Sequence, residues 1–124
     1  MLKGRTILIV EDEPLVAFDL ADLIEDHGGV VAGPVPTVAE GLSLADEQQP
    51  SAAILDANLA DCDVTELALA LIAKGTPFVI YTGTGLPEAL ARIHPDLPVI
   101  MKPAQTSRVI EALDSRIELD PSQV

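Results

Sequence analysis

The chain has 124 residues, of which 48% are hydrophobic but only 2% are aromatic. This length is typical of one domain, and a core with so few aromatic rings must be built from Ala, Val, Ile and Leu, which favours an α/β layered fold over an all-β sandwich. The net charge is -13, from 20 acidic and 7 basic residues. Such a charge disfavours direct binding to nucleic acid and to anionic membranes, because both need a positive patch on the protein.

The N-terminal segment and the single cysteine, Cys62, indicate a cytoplasmic protein. One cysteine cannot form an internal disulfide. The segment MLKGRTILIV has an apolar run too short for a signal peptide, and no stretch approaches the roughly 20 apolar residues that span a bilayer. We therefore expect a cytoplasmic location, with Cys62 as a small buried or half-buried residue.

The hydrophobic pattern predicts a strand followed by a helix, repeated five times along the chain. The first, third and fourth strand-like runs are almost continuously apolar, which is typical of strands that are covered on both faces. In chain order the predicted strands are residues 5–10, 29–33, 52–56, 77–82 and 98–101.

The first helical pattern, over residues 14–28, begins with a proline and ends at a glycine, as many helices do. Its apolar residues recur with a spacing near 3.6 and so predict the face that packs on the sheet. This stripe consists of Leu15, Phe18 with Asp19 as its polar edge, Leu23 and Ile24.

Four further helical patterns follow. In the second, Thr37 is a candidate N-cap with Glu40 three residues later, the arrangement of a capping box. The third ends at Gly75, and the fifth covers residues 106–119. The fourth lies within residues 83–97, where two glycines and two prolines surround a short helical stretch, so we expect a short and mobile helix there.

Alternation of strands and helices predicts a doubly wound α/β fold, in which a five-stranded parallel sheet is covered by helices on both faces. With the strand order 2-1-3-4-5, the order reverses between the first and third strands, and ligands of such sheets bind at that reversal. We expect one domain over residues 1–119 and a frayed tail over residues 120–124.

Polar side chains follow four of the predicted strands. Glu11 and Asp12 follow the first strand, Asp56 ends the third, Thr82 ends the fourth and Lys102 follows the fifth. These strand ends meet at one edge of a parallel sheet, so the side chains should converge. Carboxylates with space for water suit Mg²⁺, and a carboxylate can also form an aspartyl phosphate. We therefore predict a magnesium site with Asp56 as nucleophile, beside a hydroxyl and an ammonium that bind phosphoryl oxygens.

The motifs ILIVEDEP, ILDANL, YTG and MKP, in this order and spacing, resemble the receiver domain of two-component response regulators, which has a CheY-like fold. The resemblance covers nearly the whole chain. It implies that Asp56 accepts a phosphoryl group from the phosphohistidine of a sensor histidine kinase. It also implies that Asp12 binds Mg²⁺ directly, that Glu11 binds it directly or through water, and that the backbone carbonyl of Asn58 completes the protein ligands.

The same resemblance implies that Thr82 and Lys102 contact the phosphoryl group, and that the Lys102–Pro103 peptide bond is cis. The segment PFVIYTGTG, residues 77–85, is similar to the PFxFATGYG-like motif of a single-domain subgroup that is typically associated with HWE-type or HisKA2-type kinases. It departs from that motif at Ile80, Tyr81 and Thr84.

Val99 occupies the position at which many receivers carry a switch tyrosine or phenylalanine. Tyr81 does not replace that aromatic ring, because neighbouring residues of a strand point to opposite faces and Tyr81 precedes Thr82. We therefore expect reordering of residues 83–97 to carry the output, with residues 83–119 as the partner surface. Two other residues have ordinary structural interpretations: Glu13 as a charge at a helix N-terminus and His27 as a helix C-cap.

The function implied by the resemblance is that of a single-domain response regulator, which is not an enzyme with an external substrate. It would act through protein contacts, or as a phosphate shuttle or sink. Two alternatives remain. A small Mg²⁺-dependent phosphatase would use Asp56, but such enzymes usually need a second acid at the position of Asn58. A phosphorylation-independent adaptor could lose any of these site residues, and the complete set argues against it.

Overall fold

In the computed structural model, which describes residues 2–119, five strands alternate with five helices. Each predicted strand and helix is confirmed within a few residues at its ends, and the predicted tail at residues 120–124 lies outside the described residues. In chain order the elements are β1 (Thr6–Val10), α1 (Pro14–Asp26), β2 (Val30–Val35), α2 (Val38–Gln48), β3 (Ala52–Leu55), α3 (Thr65–Lys74), β4 (Phe78–Thr82), α4 (Glu88–Ile93), β5 (Val99–Met101) and α5 (Thr106–Leu119).

All five strands are parallel, and their order in the sheet is β2-β1-β3-β4-β5, which confirms the predicted doubly wound fold. The order reverses between β1 and β3, so the carboxyl ends of these two neighbouring strands flank the crevice in which such sheets bind ligands. Within residues 2–119, no helix is both long enough and apolar enough to cross a bilayer.

The sheet divides the core into two layers, because alternate side chains of a strand point to opposite faces. Leu8 and Leu55 pack with residues of α2 and α3 on one face. Ile9 and Ile54 pack with residues of α1 and α5 on the other. The same alternation places successive residues of β4 in different surroundings, and this decides which of them reaches the crevice.

The predicted apolar stripe of α1 is wrong at its N-terminal end. Leu15 is 83% exposed and Phe18 is 63% exposed, whereas Ala17, Leu20 and Ile24 are buried. The first half of this helix carries apolar residues all round, so its periodicity does not single out one face. Val16 packs against the core beside the buried Ala17, whereas Leu15 and Phe18 point to solvent.

Local hydrogen bonds fix the helix ends. The Thr37 hydroxyl accepts the backbone N–H of Glu40 at 3.1 Å, which confirms the predicted N-cap of α2. The Asp61 carboxylate accepts the backbone N–H groups of Val38 at 2.8 Å and Ala39 at 3.1 Å, and these bonds lower the pKa of Asp61. The loop between β3 and α3 is thereby tied to the start of α2. His27, the C-cap of α1, places Nδ1 2.9 Å from the carbonyl oxygen of Leu23.

Cys62 lies in that same β3–α3 loop and is exposed, so the expectation of a buried or half-buried cysteine is wrong. The loop makes its hydrogen bonds through the neighbouring aspartates: Asp61 accepts the N–H of Cys62 at 3.0 Å, and Asp63 accepts the N–H of Thr65 at 2.9 Å. These polar contacts hold the loop on the surface, where the thiol is exposed.

Gly33 occupies a backbone position that no other residue fits. Its φ angle is +95°, and a Cβ atom there would lie 2.9 Å from the carbonyl oxygen of Ile9 and 2.9 Å from the amide nitrogen of Val35. The pairing of β1 with β2 is irregular at this point, between Leu8 and Val10. Two residues after Gly33, the carbonyl of Val35 accepts the N–H of Glu11 at 2.9 Å, so the irregularity directly precedes the crevice.

We predict that Gly33→Ala destabilises the protein by roughly 3 kcal/mol or more, because the new methyl group meets backbone atoms that cannot rotate away. Gly75→Ala is the matched control, since Gly75 has a φ of +73° with nothing within 4 Å of the added atom. It should cost only about 1 kcal/mol, from the unfavourable backbone angles alone. Urea denaturation of both variants measures the difference. Equal losses would contradict the assignment of the larger cost to backbone contact.

Candidate functional site

Three acidic side chains meet at the carboxyl ends of β1 and β3. Glu11, Asp12 and Asp56 each offer a carboxylate oxygen, and these oxygens all lie within 4.8 Å of one another. Glu11 is 4% exposed and Asp56 is 7% exposed, whereas Asp12 is exposed to solvent. The adjacency of β1 and β3 in the sheet causes this convergence, as the strand order predicted.

The backbone fixes the two buried acids. The N–H of Glu11 donates to the carbonyl of Val35, and the N–H of Asp56 donates to the carbonyl of Val10, both at 2.9 Å, so the sheet hydrogen bonding continues into the site. The carboxylates are held as well. Glu11 Oε2 accepts the N–H of Glu13 at 3.1 Å, and Asp56 Oδ1 accepts the N–H of Ala57 at 2.7 Å. Each acid is therefore oriented before any ligand arrives.

The ammonium group of Lys102 lies among the carboxylates. Its Nζ atom is 2.8 Å from Glu11 Oε1, 3.3 Å from Asp56 Oδ2 and 3.7 Å from Glu13 Oε2. It also lies 5.5 Å from the centroid of the Tyr81 ring, which allows a cation–π contribution. Buried like charges are tolerated only beside an opposite charge. In this structure Lys102 supplies that charge, and the Lys102–Pro103 peptide bond is cis as predicted.

These contacts shift two pKa values. Burial raises the pKa of Glu11 to about 7, and the hydrogen bond with Asp56 and the charge of Asp56 act in the same direction, against Lys102 and the N–H of Glu13. For Lys102, burial alone would lower the pKa, but Glu11 and Asp56 outweigh it and the pKa is raised. Lys102 therefore remains charged at neutral pH, while Glu11 holds a proton for part of the time.

Thr82 lies at the end of β4 and is fully buried. Its carbonyl accepts the N–H of Lys102 at 2.7 Å, which links the ends of β4 and β5. Its hydroxyl oxygen accepts the N–H of Thr84 at 3.1 Å and lies 3.2 Å from the Thr84 hydroxyl. Thr84 in turn accepts a hydrogen bond from the side-chain amide of Asn58 at 2.6 Å.

The sequence interpretation missed this role of Thr84 and treated it only as a departure from a motif. The available signal was a second hydroxyl two positions after Thr82. Asn58 itself is exposed, and its backbone pairs with that of Asp63 in an isolated antiparallel bridge. The role of the Asn58 carbonyl as a metal ligand stays a prediction.

Two other residues lie where the sequence placed them. Tyr81 is buried on the α1 and α5 face, opposite to Ile80, and its hydroxyl donates to the carbonyl of Ala104 at 3.0 Å. Position 99, where many receivers carry an aromatic ring, holds the half-buried Val99. Tyr81 therefore does not replace that ring. Glu13 is the N-cap residue of α1 but makes no side-chain cap hydrogen bond. Its carboxylate adds to the charge around Lys102.

The donor set fits a magnesium ion. Mg²⁺ prefers oxygen ligands, is usually held by one or two carboxylates, and keeps several waters. The two buried acids are preoriented by backbone N–H groups, and Asp12 lies on the open side, where water has access. A divalent cation would also favour the charged form of Glu11, against the burial that raises its pKa.

We predict that the metal-free protein loses stability through Glu11 as the pH rises from about 5 to about 7. Its pKa rises from 4.5 to about 7 on folding, so the folded state binds more protons in this range and the free energy of unfolding falls as the pH increases. The loss should be of order ~1–3 kcal/mol. Lys102, whose pKa is raised, titrates above this range.

Urea denaturation between pH 4.5 and 8 with a chelator present measures this dependence. Glu11→Gln removes the titrating group and should flatten the profile relative to the unaltered protein, while Glu25→Gln, at an exposed acid on α1 away from the site, should leave the slope unchanged. Equal slopes for Glu11→Gln and the unaltered protein would contradict the raised pKa.

Comparison with known proteins agrees with this geometry. The sequence profile of the response regulator receiver domain matches residues 7–114. BvgA of Bordetella pertussis (strain Tohama I), described as a putative positive transcription regulator of virulence factors, is 31% identical over 84 residues, which are 68% of this chain and 40% of BvgA. The chain thus spans about two fifths of that relative's length.

Solved structures share the fold. A CheY-like receiver domain protein from Methanospirillum hungatei JF-1 has a TM-score of 0.84 at 22% identity, over 98% of this chain and 100% of that chain. The receiver domain of the sensor histidine kinase PA1611 from Pseudomonas aeruginosa PAO1, described with a magnesium ion coordinated in its active site cleft, has a TM-score of 0.78 at 20% identity, over 93% of this chain and 98% of that chain. Because the family profile matches most of its length, the chain belongs to the response regulator receiver domain family.

Proposed function

We propose that this receiver domain accepts a phosphoryl group on Asp56 from the phosphohistidine of a sensor histidine kinase, in a reaction that depends on Mg²⁺. The environment of Asp56 carries this proposal: the carboxylate is buried, lies within 4.8 Å of the oxygens of Glu11 and Asp12, and lies 3.3 Å from the Lys102 ammonium. A carboxylate oxygen of Asp56 forms a bond to phosphorus, the bond from phosphorus to the histidine nitrogen breaks, and its electron pair returns to the imidazole ring.

Different residues of the site would stabilise the transferred phosphoryl group in different ways. Glu11, Asp12, Asp56 and the backbone carbonyl of Asn58 would hold Mg²⁺, which offsets the negative charge of the phosphoryl oxygens. Lys102 would turn from Glu11 toward a phosphoryl oxygen, a short movement because its Nζ atom already lies between Glu11 and Asp56. The magnesium ion described for the PA1611 receiver domain is consistent with this assignment.

The proposals for the kinase type and for the output come from segments outside the acidic cluster. The likeness of residues 77–85 to the PFxFATGYG-like motif favours a kinase of the HWE or HisKA2 type. We expect output through protein contacts over residues 83–119, or action as a phosphate shuttle or sink. Residues 83–97 have room to rearrange, since no atom lies within 4 Å of a Cβ added at Gly83 or Gly85, and α4 has only six residues.

The alternatives are less well supported. A phosphatase acting on metabolites needs an acid to protonate the leaving group, and Asn58 cannot act as that acid. An adaptor that ignores phosphorylation does not need two buried, preoriented carboxylates around a half-buried ammonium, an arrangement that is costly to desolvate. We therefore propose a phosphoryl acceptor and not an enzyme with an external substrate.

We predict that incubation with acetyl phosphate adds one phosphoryl group to the chain, and that the addition requires both Mg²⁺ and Asp56. Intact-mass spectrometry with and without a chelator measures it. Asp56→Asn keeps the size of the side chain but removes the nucleophile, and should gain no mass. Asp96→Asn, at an exposed carboxylate in the α4–β5 loop, is the matched control and should behave like the unaltered protein.

Turnover distinguishes the rival functions in the same experiment. Repeated hydrolysis of simple phosphate esters, without a lasting gain of mass, would favour the phosphatase. If the protein bound Mg²⁺ but gained no phosphoryl group from acetyl phosphate or from a kinase phosphohistidine, the acceptor function would be wrong and the adaptor would be favoured.

A further inference from the structure

Three side chains form a continuous path of hydrogen bonds beside the acceptor. The amide Nδ2 of Asn58 lies 2.6 Å from Thr84 Oγ1, and Thr84 Oγ1 lies 3.2 Å from Thr82 Oγ1. The path joins the β3–α3 loop, which follows Asp56, to the β4–α4 loop, which follows Thr82. It ends on a hydroxyl that is fully buried at the edge of the crevice.

The chemistry of the groups fixes the direction of the first hydrogen bond in this path. An amide NH₂ only donates, so the Thr84 oxygen is the acceptor in the bond from Asn58. Either hydroxyl can be the donor in the contact between Thr84 and Thr82. The backbone N–H of Thr84 donates to the Thr82 oxygen at 3.1 Å. When the Thr84 hydroxyl also donates to it, both lone pairs of Thr82 Oγ1 are used, and the Thr82 proton is available to an acceptor elsewhere.

A phosphoryl group on Asp56 would be a hydrogen-bond acceptor close to the Thr82 hydroxyl. β3 and β4 are parallel neighbours, with Leu55 opposite Ile80, so Asp56 and Thr82 end adjacent strands. We propose that Asn58 and Thr84 are positioning residues, which orient the Thr82 hydroxyl so that it donates its proton to an oxygen of the phosphoryl group on Asp56. This inference rests on the proposed function of Asp56. Hydrogen bonds that run in one direction strengthen each other, so Thr82 becomes a better donor than an isolated hydroxyl.

The first test compares rates of phosphorylation by acetyl phosphate. Thr84→Val keeps the shape of the side chain and the backbone N–H but removes the hydroxyl, and should react roughly fivefold more slowly, the effect expected from the loss of about one neutral hydrogen bond. Thr84→Ser restores the hydroxyl and should recover most of the rate. In a Thr82→Ala background, Thr84→Val should cause no further loss, because no hydroxyl remains to be oriented.

The second test observes the contact directly. Beryllofluoride stands in for the phosphoryl group, and ¹⁹F NMR resolves fluorines that have different hydrogen-bond partners. The fluorine resonance that moves in Thr82→Ala should also move, by a smaller amount, in Thr84→Val, and should return in Thr84→Ser. Urea denaturation of each variant shows whether it remains folded. If Thr84 had only a structural role, Thr84→Val would not specifically shift the fluorine resonance that moves in Thr82→Ala.

The outcomes separate this inference from the function on which it rests. Uptake of phosphoryl by the unaltered protein, with Thr84→Val matching it in rate and in ¹⁹F spectrum, would overturn the role of Thr84 and leave the acceptor function intact. An equal slowing in the Thr82→Ala background would also overturn it, because Thr84 would then act without Thr82. Failure of the unaltered protein to take up phosphoryl or beryllofluoride would overturn both.

Discussion

The arrangement of the site depends on one electrostatic contact, in which the Lys102 ammonium lies between the buried carboxylates of Glu11 and Asp56 at 2.8 Å and 3.3 Å. The sheet makes this contact necessary, because β1 and β3 are neighbours and each ends in an acid. The sheet also makes it possible, since β5 ends at the same edge and the backbone of Lys102 is bonded to Thr82 at the end of β4. Strand order and charge balance are therefore parts of one arrangement, and a change in either would disturb the other.

That balance is incomplete in a way that suits the proposed chemistry. Burial and the neighbouring Asp56 raise the pKa of Glu11 to about 7, and a single ammonium cannot neutralise several acids, so an excess of negative charge remains. A proton, a divalent cation or a rearranged lysine can each relieve it, so the site can exchange one positive partner for another as a phosphoryl group arrives. Buried ion pairs of this kind add little net stability and are better explained by such exchange than by folding.

The sequence predicted the fold and the convergence of the main site residues, because both follow from where apolar runs end. Glu11, Asp56 and Lys102 each stand within a residue of a strand end, and parallel strands bring those ends together. The α1 face could not be predicted, since apolar residues such as Phe18 surround its first half. The hydrogen bond between Asn58 and Thr84 could not be predicted either, because it joins residues of two loops that are 26 positions apart and depends on the geometry of both loops.

The central claim, that Asp56 carries the phosphoryl group, is tested most directly by locating that group in the chain. Borohydride reduces an aspartyl phosphate to homoserine but leaves free carboxylates and other phosphoamino acids unchanged, so peptide sequencing by mass spectrometry after reduction identifies the acceptor. Our account predicts homoserine at position 56 alone, in amounts that depend on Mg²⁺. Homoserine at another acidic position, or none in protein that has gained a phosphoryl group, would contradict it.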